Sequence, residues 1–76
     1  MAEEALGRTV RRHRERREMS VADLARASGL PASRVEGIER GERLVRFSDL
    51  LALAAGLGLT TPELVAEAEG ESPPAG

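Results

Sequence analysis

Residues Ser20 to Gly41 read SVADLARASGLPASRVEGIERG, two short stretches of helical period divided by Gly29, and this pattern leaves few folds open to the chain. Ser20 can cap a helix with its hydroxyl, and Asp23, three residues on, completes a capping box, so a helix starts near Val21. Val21, Leu24, Ala25 and Ser28 share one face of that helix, and Ala25 is small enough to let a second helix approach. Gly29 supplies the left-handed conformation that ends it and turns the chain. Pro31, following Leu30, fixes the backbone for a second helical start, with Val35 and Ile38 on its apolar face and Gly41 as its stop.

Two helices joined by a short turn containing Gly fit a helix-turn-helix, whose second helix lies in the major groove of DNA. Further helical patterns flank it. Glu4 to Arg17 points Leu6 and Val10 inward, with Arg14 one turn later and a dense Arg set outward. Glu42 to Arg46 has no clear period and reads as a loop. Phe47, Leu50, Leu51, Leu53, Ala54 and Leu57 then recur at helical spacing, from a start at Ser48 or a neighbour to a stop at Gly58. Thr61 reads as the cap of a last helix, with Pro62 and Glu63 in its first turn and Leu64, Val65 and Ala68 along it. The expected architecture is all-α: five helices in one compact domain over residues 1–69, with residues 70–76, GESPPAG, as a disordered tail.

A chain of 76 residues suits one small domain, for which a partner chain is useful. Without Cys there is neither a disulfide framework nor a thiolate metal site, and His13 alone cannot build one, so no metal or cofactor is expected and a reducing cytoplasm suits the chain. No apolar run approaches the roughly 20 residues of a membrane span, and Glu3 and Glu4 oppose a signal peptide. An enzyme is disfavoured, since one His, no Cys and no glycine-rich phosphate cradle leave only scattered carboxylates. Phe47 is the only aromatic residue, so there is no platform for stacking single-stranded bases. The net charge of −2 hides an asymmetry. All eleven basic residues are Arg and lie between Arg8 and Arg46; over residues 1–46 they outweigh eight acids by three, and residues 47–76 hold five acids and no base. A basic half of this kind suits double-stranded DNA.

The residues Leu24-Ala25, Gly29-Leu30, Val35, Ile38-Glu39-Arg40-Gly41, Leu50 to Leu53 and Leu57-Gly58-Leu59 together resemble the Cro/repressor, or xenobiotic-response-element, family, without gaps from Leu6 to Val65. The resemblance implies a lambda-repressor-like domain and a sequence-specific double-stranded DNA-binding transcriptional regulator, usually dimeric, that reads with the Pro31 to Arg40 helix. It also implies an ion pair between Arg14 and Glu39. Groove-facing positions fall on Ala32, Ser33, Glu36 and Gly37, with Arg34 on the flank and Arg40 near the DNA backbone. This set is sparse: Ala32 can touch only a thymine methyl, Ser33 serves several bases, Gly37 reads nothing, and Glu36 could accept from a cytosine amino group while repelling phosphates. Arg34 is therefore expected as the best base or phosphate contact. The family's frequent phosphate-binding Gln is replaced by Val21, so Arg43 and Arg46 of the following loop are expected on phosphates, with Arg11, Arg12, Arg16 and Arg17 as further candidates.

His13 stands where the family carries a large apolar residue and is expected to be packed and half-exposed, a pH-sensitive role being the alternative. Glu18 replaces a frequent helix-ending Gly, at up to about 1 kcal/mol if it is left-handed. A homodimer is expected through the last helix, with Leu57, Leu59 and Val65 as an isologous patch, in competition with burial inside the monomer. The length resembles small phage-type repressors and the controller proteins of restriction systems. A second class stays open, an antitoxin or adaptor that uses the same fold to hold a protein partner, because the second half is acidic and the reading residues are few.

Overall fold

The computed structural model describes residues 3–70, and residues 71–76 of the expected tail lie outside them. Five helices follow one another: α1 Glu3–Arg16, α2 Val21–Ser28, α3 Ala32–Glu39, α4 Phe47–Leu57 and α5 Thr61–Gly70. No strand occurs among the described residues. Gly70 ends α5 and so belongs to the folded part, one residue beyond the expected boundary.

The capping box of α2 forms as its spacing predicts. Ser20 Oγ accepts from the Asp23 amide at 3.0 Å, and the Asp23 carboxylate accepts from the Ser20 amide at 2.8 Å. Gly29 sits at φ 77°, and its N–H reaches the Ala25 carbonyl at 2.8 Å. The cap of α5 is Thr60, one residue before the expected Thr61. Its Oγ1 accepts from the Glu63 amide at 3.2 Å and its own amide donates to Glu63 at 2.8 Å. A reciprocal box needs a carboxylate three residues on, which Thr60 has and Thr61, facing Leu64, lacks. Helix α4 starts at Phe47 without a hydroxyl cap; Asp49 accepts from the Arg46 amide at 2.9 Å instead.

Leu6 and Val10 of α1, Leu24 of α2, Val35 and Ile38 of α3, Leu53 and Leu57 of α4 and Leu64 of α5 are buried and form one core. Each such side chain contributes about 1.5–3 kcal/mol by leaving water. Backbones meet closely where α1 crosses the end of α3. A Cβ at Gly7 would overlap the Ile38 carbonyl and come within 2.8 Å of the Glu39 carbonyl oxygen. Half a helix further along, Arg14 donates to both Glu39 oxygens at 2.7 and 3.0 Å and to the Met19 carbonyl at 2.8 Å. This fork fixes the C-terminal end of α3 against α1 and the entry to α2.

His13 is buried, not half-exposed. Its Nε2 lies 2.8 Å from Glu67 Oε2 on α5 and its Nδ1 lies 3.2 Å from Arg17 Nη1. A neutral ring protonated at Nε2 satisfies both, donating to Glu67 and accepting from Arg17. Leu57, expected at a dimer surface, is 1 % exposed and belongs to the core, while Leu59 and Val65 are half-buried. The large apolar side chains left in water are Leu44, Phe47 and Leu51, at 76, 67 and 48 % exposure, in the α3–α4 loop and on the first turns of α4. Among the described residues no single helix is long and apolar enough to cross a membrane, and the apolar pair α4 and α5 is bent by 99°.

Candidate nucleic-acid interface

Helix α3 is held from behind and open in front. Val35 and Ile38 bury its inner stripe, while Ala32, Ser33 and Glu36 are exposed along its outer face. Arg40, Arg43 and Arg46, in the segment that leaves it, are exposed as well. That segment is tied to the helix end, the Gly41 amide reaching the Ile38 carbonyl and the Glu42 amide the Gly37 carbonyl, each at 3.0 Å.

Gly37 does not present an empty spot to a groove, because it is buried beneath Arg43. A Cβ at Gly37 would lie 2.5 Å from Arg43 Cγ and 2.7 Å from Arg43 Nε. The missing side chain is therefore the space through which Arg43 crosses the middle of α3. Sequence reasoning placed Arg43 in the loop as a phosphate contact; the fold puts its guanidinium stem on the reading helix itself.

Arg34 departs further from expectation. It turns along the protein surface toward α4, where its Nε donates to Asp49 Oδ1 at 2.8 Å and its Nη2 to Asp49 Oδ2 at 2.5 Å, with the Leu44 carbonyl 3.5 Å from Nη2. The Arg34 hydrogen bond, with the Arg46 amide behind it, holds the Asp49 carboxyl below the usual carboxylate range against the opposing effect of burial. The residue expected as the main DNA contact thus has its fork engaged inside the fold. Asp49 lies fifteen positions away on another helix, so no spacing rule pairs it with Arg34. Its place three residues after Arg46 was a visible helix-start signal, but not a sign of its partner.

Arg11 of α1 joins Arg40 on the same side. Arg11, Val21, Glu36, Glu39 and Arg40 line an open depression of about 350 Å³ between α1, the start of α2, and α3. Val21 is half-buried and packs on the core. Arg11 is bonded to Glu15 at 3.3 Å, and Arg40 stands 4.0 Å from Glu36, both exposed pairs that solvent screens. Along α4 and α5 the charged residues are Asp49, Glu63, Glu67 and Glu69, so every Arg among the described residues lies on α1 to α3, in the turn after α1 or in the loop that leads to α4.

The family model of the helix-turn-helix domain matches residues 5–68. The control protein C.SmaI of Serratia marcescens is 37% identical over 62 residues, covering 82% of this chain and 74% of that protein. The crystal structure of the restriction-modification controller protein C.AhdI from Aeromonas hydrophila superposes with a TM-score of 0.78 at 37% identity, over 82% of this chain and 94% of that one. The clp gene regulator ClgR from Corynebacterium glutamicum superposes with a TM-score of 0.84 at 28% identity, over 92% of this chain and 74% of that one. The chain belongs to the helix-turn-helix domain family, as a DNA-binding transcriptional regulator of the Cro/repressor type.

Proposed function

We propose that this regulator is a small controller-type protein that binds duplex DNA as a homodimer, with α3 of each protomer in the major groove of one half-site. The exposed face of α3, flanked by Arg40, Arg43 and Arg46 and backed by a core that fixes its orientation, carries the reading. Ala32, Ser33 and Glu36 meet base edges, joined by the Arg43 guanidinium, which can take the bidentate role toward guanine that α3 lacks. Arg40 and Arg46 lie on phosphates at either end of the loop. The 37% identity to the control protein C.SmaI and to the restriction-modification controller protein C.AhdI supports the controller type over other regulators of this length.

Leu44, Phe47 and Leu51 supply the dimer contact in this reading, replacing the patch expected around Leu57. Leu44 approaches Arg34 of the reading helix and Phe47 and Leu51 follow on α4, so joining two copies there sets the distance between the two α3 helices and hence the half-site spacing. Selection from a random duplex pool tests the proposal. An enriched inverted repeat supports it; enrichment of unrelated or unpaired sites contradicts the dimeric reading.

A further inference from the structure

We propose that Arg34 is a positioning residue for DNA reading and makes no DNA contact of its own: paired with Asp49, it clamps the α3–α4 loop so that Arg43 lies across α3. The inference rests on the duplex-binding reading above and concerns how that reading is kept specific.

Four points on three segments converge on one carboxylate and one guanidinium. Arg34 lies in the first turn of α3, Leu44 in the loop, Arg46 at the cap of α4, and Asp49 in its first turn. Arg34 bonds Asp49 in a bidentate fork and approaches the Leu44 carbonyl, while Asp49 accepts from the Arg46 amide. The far end of the loop is already fixed by the Gly41 and Glu42 amides on α3. Arg43, between these two anchors, passes over α3 at Gly37, where no side chain stands in its way.

The alternative is that Arg34 leaves Asp49 for a phosphate. The Asp49 side chain is only 5% exposed and that of Arg34 23%. Withdrawing the guanidinium would strand a buried carboxylate, a large penalty, in exchange for a contact in screened, high-dielectric surroundings. The balance keeps the pair closed on DNA.

The test compares wild type with Arg34→Gln, Asp49→Asn and the double variant on a duplex enriched from the random pool and on a scrambled duplex of equal length, across a salt series. Asn at position 49 can still accept from the Arg46 amide, so the start of α4 is preserved, and thermal unfolding checks that each variant folds. Each single variant is expected to lose on the order of tenfold in preference for the enriched duplex, and the double variant no more than either, because both break one clamp. Affinity for the scrambled duplex and the salt slope should not move. Gly37→Ala, which displaces Arg43 and leaves the clamp intact, should give the same loss of preference; full preference in that folded variant would overturn the role assigned to Arg43. A fall in the salt slope of about one per protomer in Arg34→Gln, equal on both duplexes, would make Arg34 a phosphate contact. Tighter binding by Asp49→Asn would make Asp49 a competitor for Arg34 and sink the clamp. If wild type bound neither duplex, the duplex-binding reading itself would fall and the clamp with it, whereas wild-type preference retained in every variant would refute the clamp alone.

Discussion

Glu18 holds a φ of 53°, in the left-handed region where a Cβ is unfavourable, as it turns the chain from α1 toward α2. The Met19 amide reaches back to the Arg14 carbonyl at 3.1 Å, so the turn is required by the helix end. Glu18→Gly should therefore stabilise the fold by up to about 1 kcal/mol, read from urea unfolding. An unchanged or lower midpoint would mean that the glycine's greater freedom in the unfolded chain outweighs the relief. The position was legible in sequence because helix ends favour glycine there. Arg34–Asp49 and Gly37–Arg43 were not, since each joins residues whose contact exists only once the loop has folded back. His13 was misjudged for a related reason: its partners, Glu67 and Arg17, make burial of a polar ring tolerable, and Glu67 is 54 residues away.

At the scale of elements, three helices begin in one way. Asp23, Asp49 and Glu63 each stand three residues after the cap of α2, α4 or α5 and accept a backbone amide from it. All three are held below the usual carboxylate range, Asp23 chiefly by the Ser20 amide, Asp49 chiefly by Arg34, and Glu63 chiefly by the Thr60 amide. A depressed folded-state pKa means that the unfolded chain takes up protons first as pH falls. Stability from these groups is present in full above the ordinary carboxylate range of about 4 and is lost as pH falls through the lower folded-state values. Urea midpoints should thus decline below about pH 4, and Asp49→Asn should flatten part of that decline. A decline of equal steepness in that variant would remove Asp49 from the account. The helices themselves were largely readable, because apolar residues at period 3.6 and Gly29, Gly41 and Gly58 punctuate the chain. The start of α5 was misplaced by one residue, because two adjacent threonines both qualify as caps until the carboxylate spacing selects Thr60.

The whole molecule divides by charge and by polarity. Its eleven arginines occupy the half that contains α1 to α3 and the loop after them, and the half built of α4 and α5 is acidic. The exposed apolar residues Leu44, Phe47 and Leu51 lie where the two halves meet. These three side chains form the contact proposed between two copies. Phe47→Glu should leave a folded monomer in sedimentation at micromolar concentration, while wild type sediments as a dimer; wild type running as a monomer without DNA would contradict the proposed contact. Sequence pattern could not locate this patch. Leu57 and Leu51 both fit an apolar helix stripe, and only the packing of α4 on its neighbours decides that Leu57 faces the core and Leu51 the solvent.

Binding of duplex DNA by the arginine-framed face of α3 and its loop should show in its salt dependence. With Arg40 and Arg46 of two protomers on phosphates and Arg43 on a base, about four phosphate contacts form, and log affinity should fall linearly with log salt at a slope of about −4. A slope of about −5 would place Arg43 on phosphates as well. Absence of duplex binding at low salt, or binding that does not weaken as salt rises, would exclude this face as a duplex-binding surface.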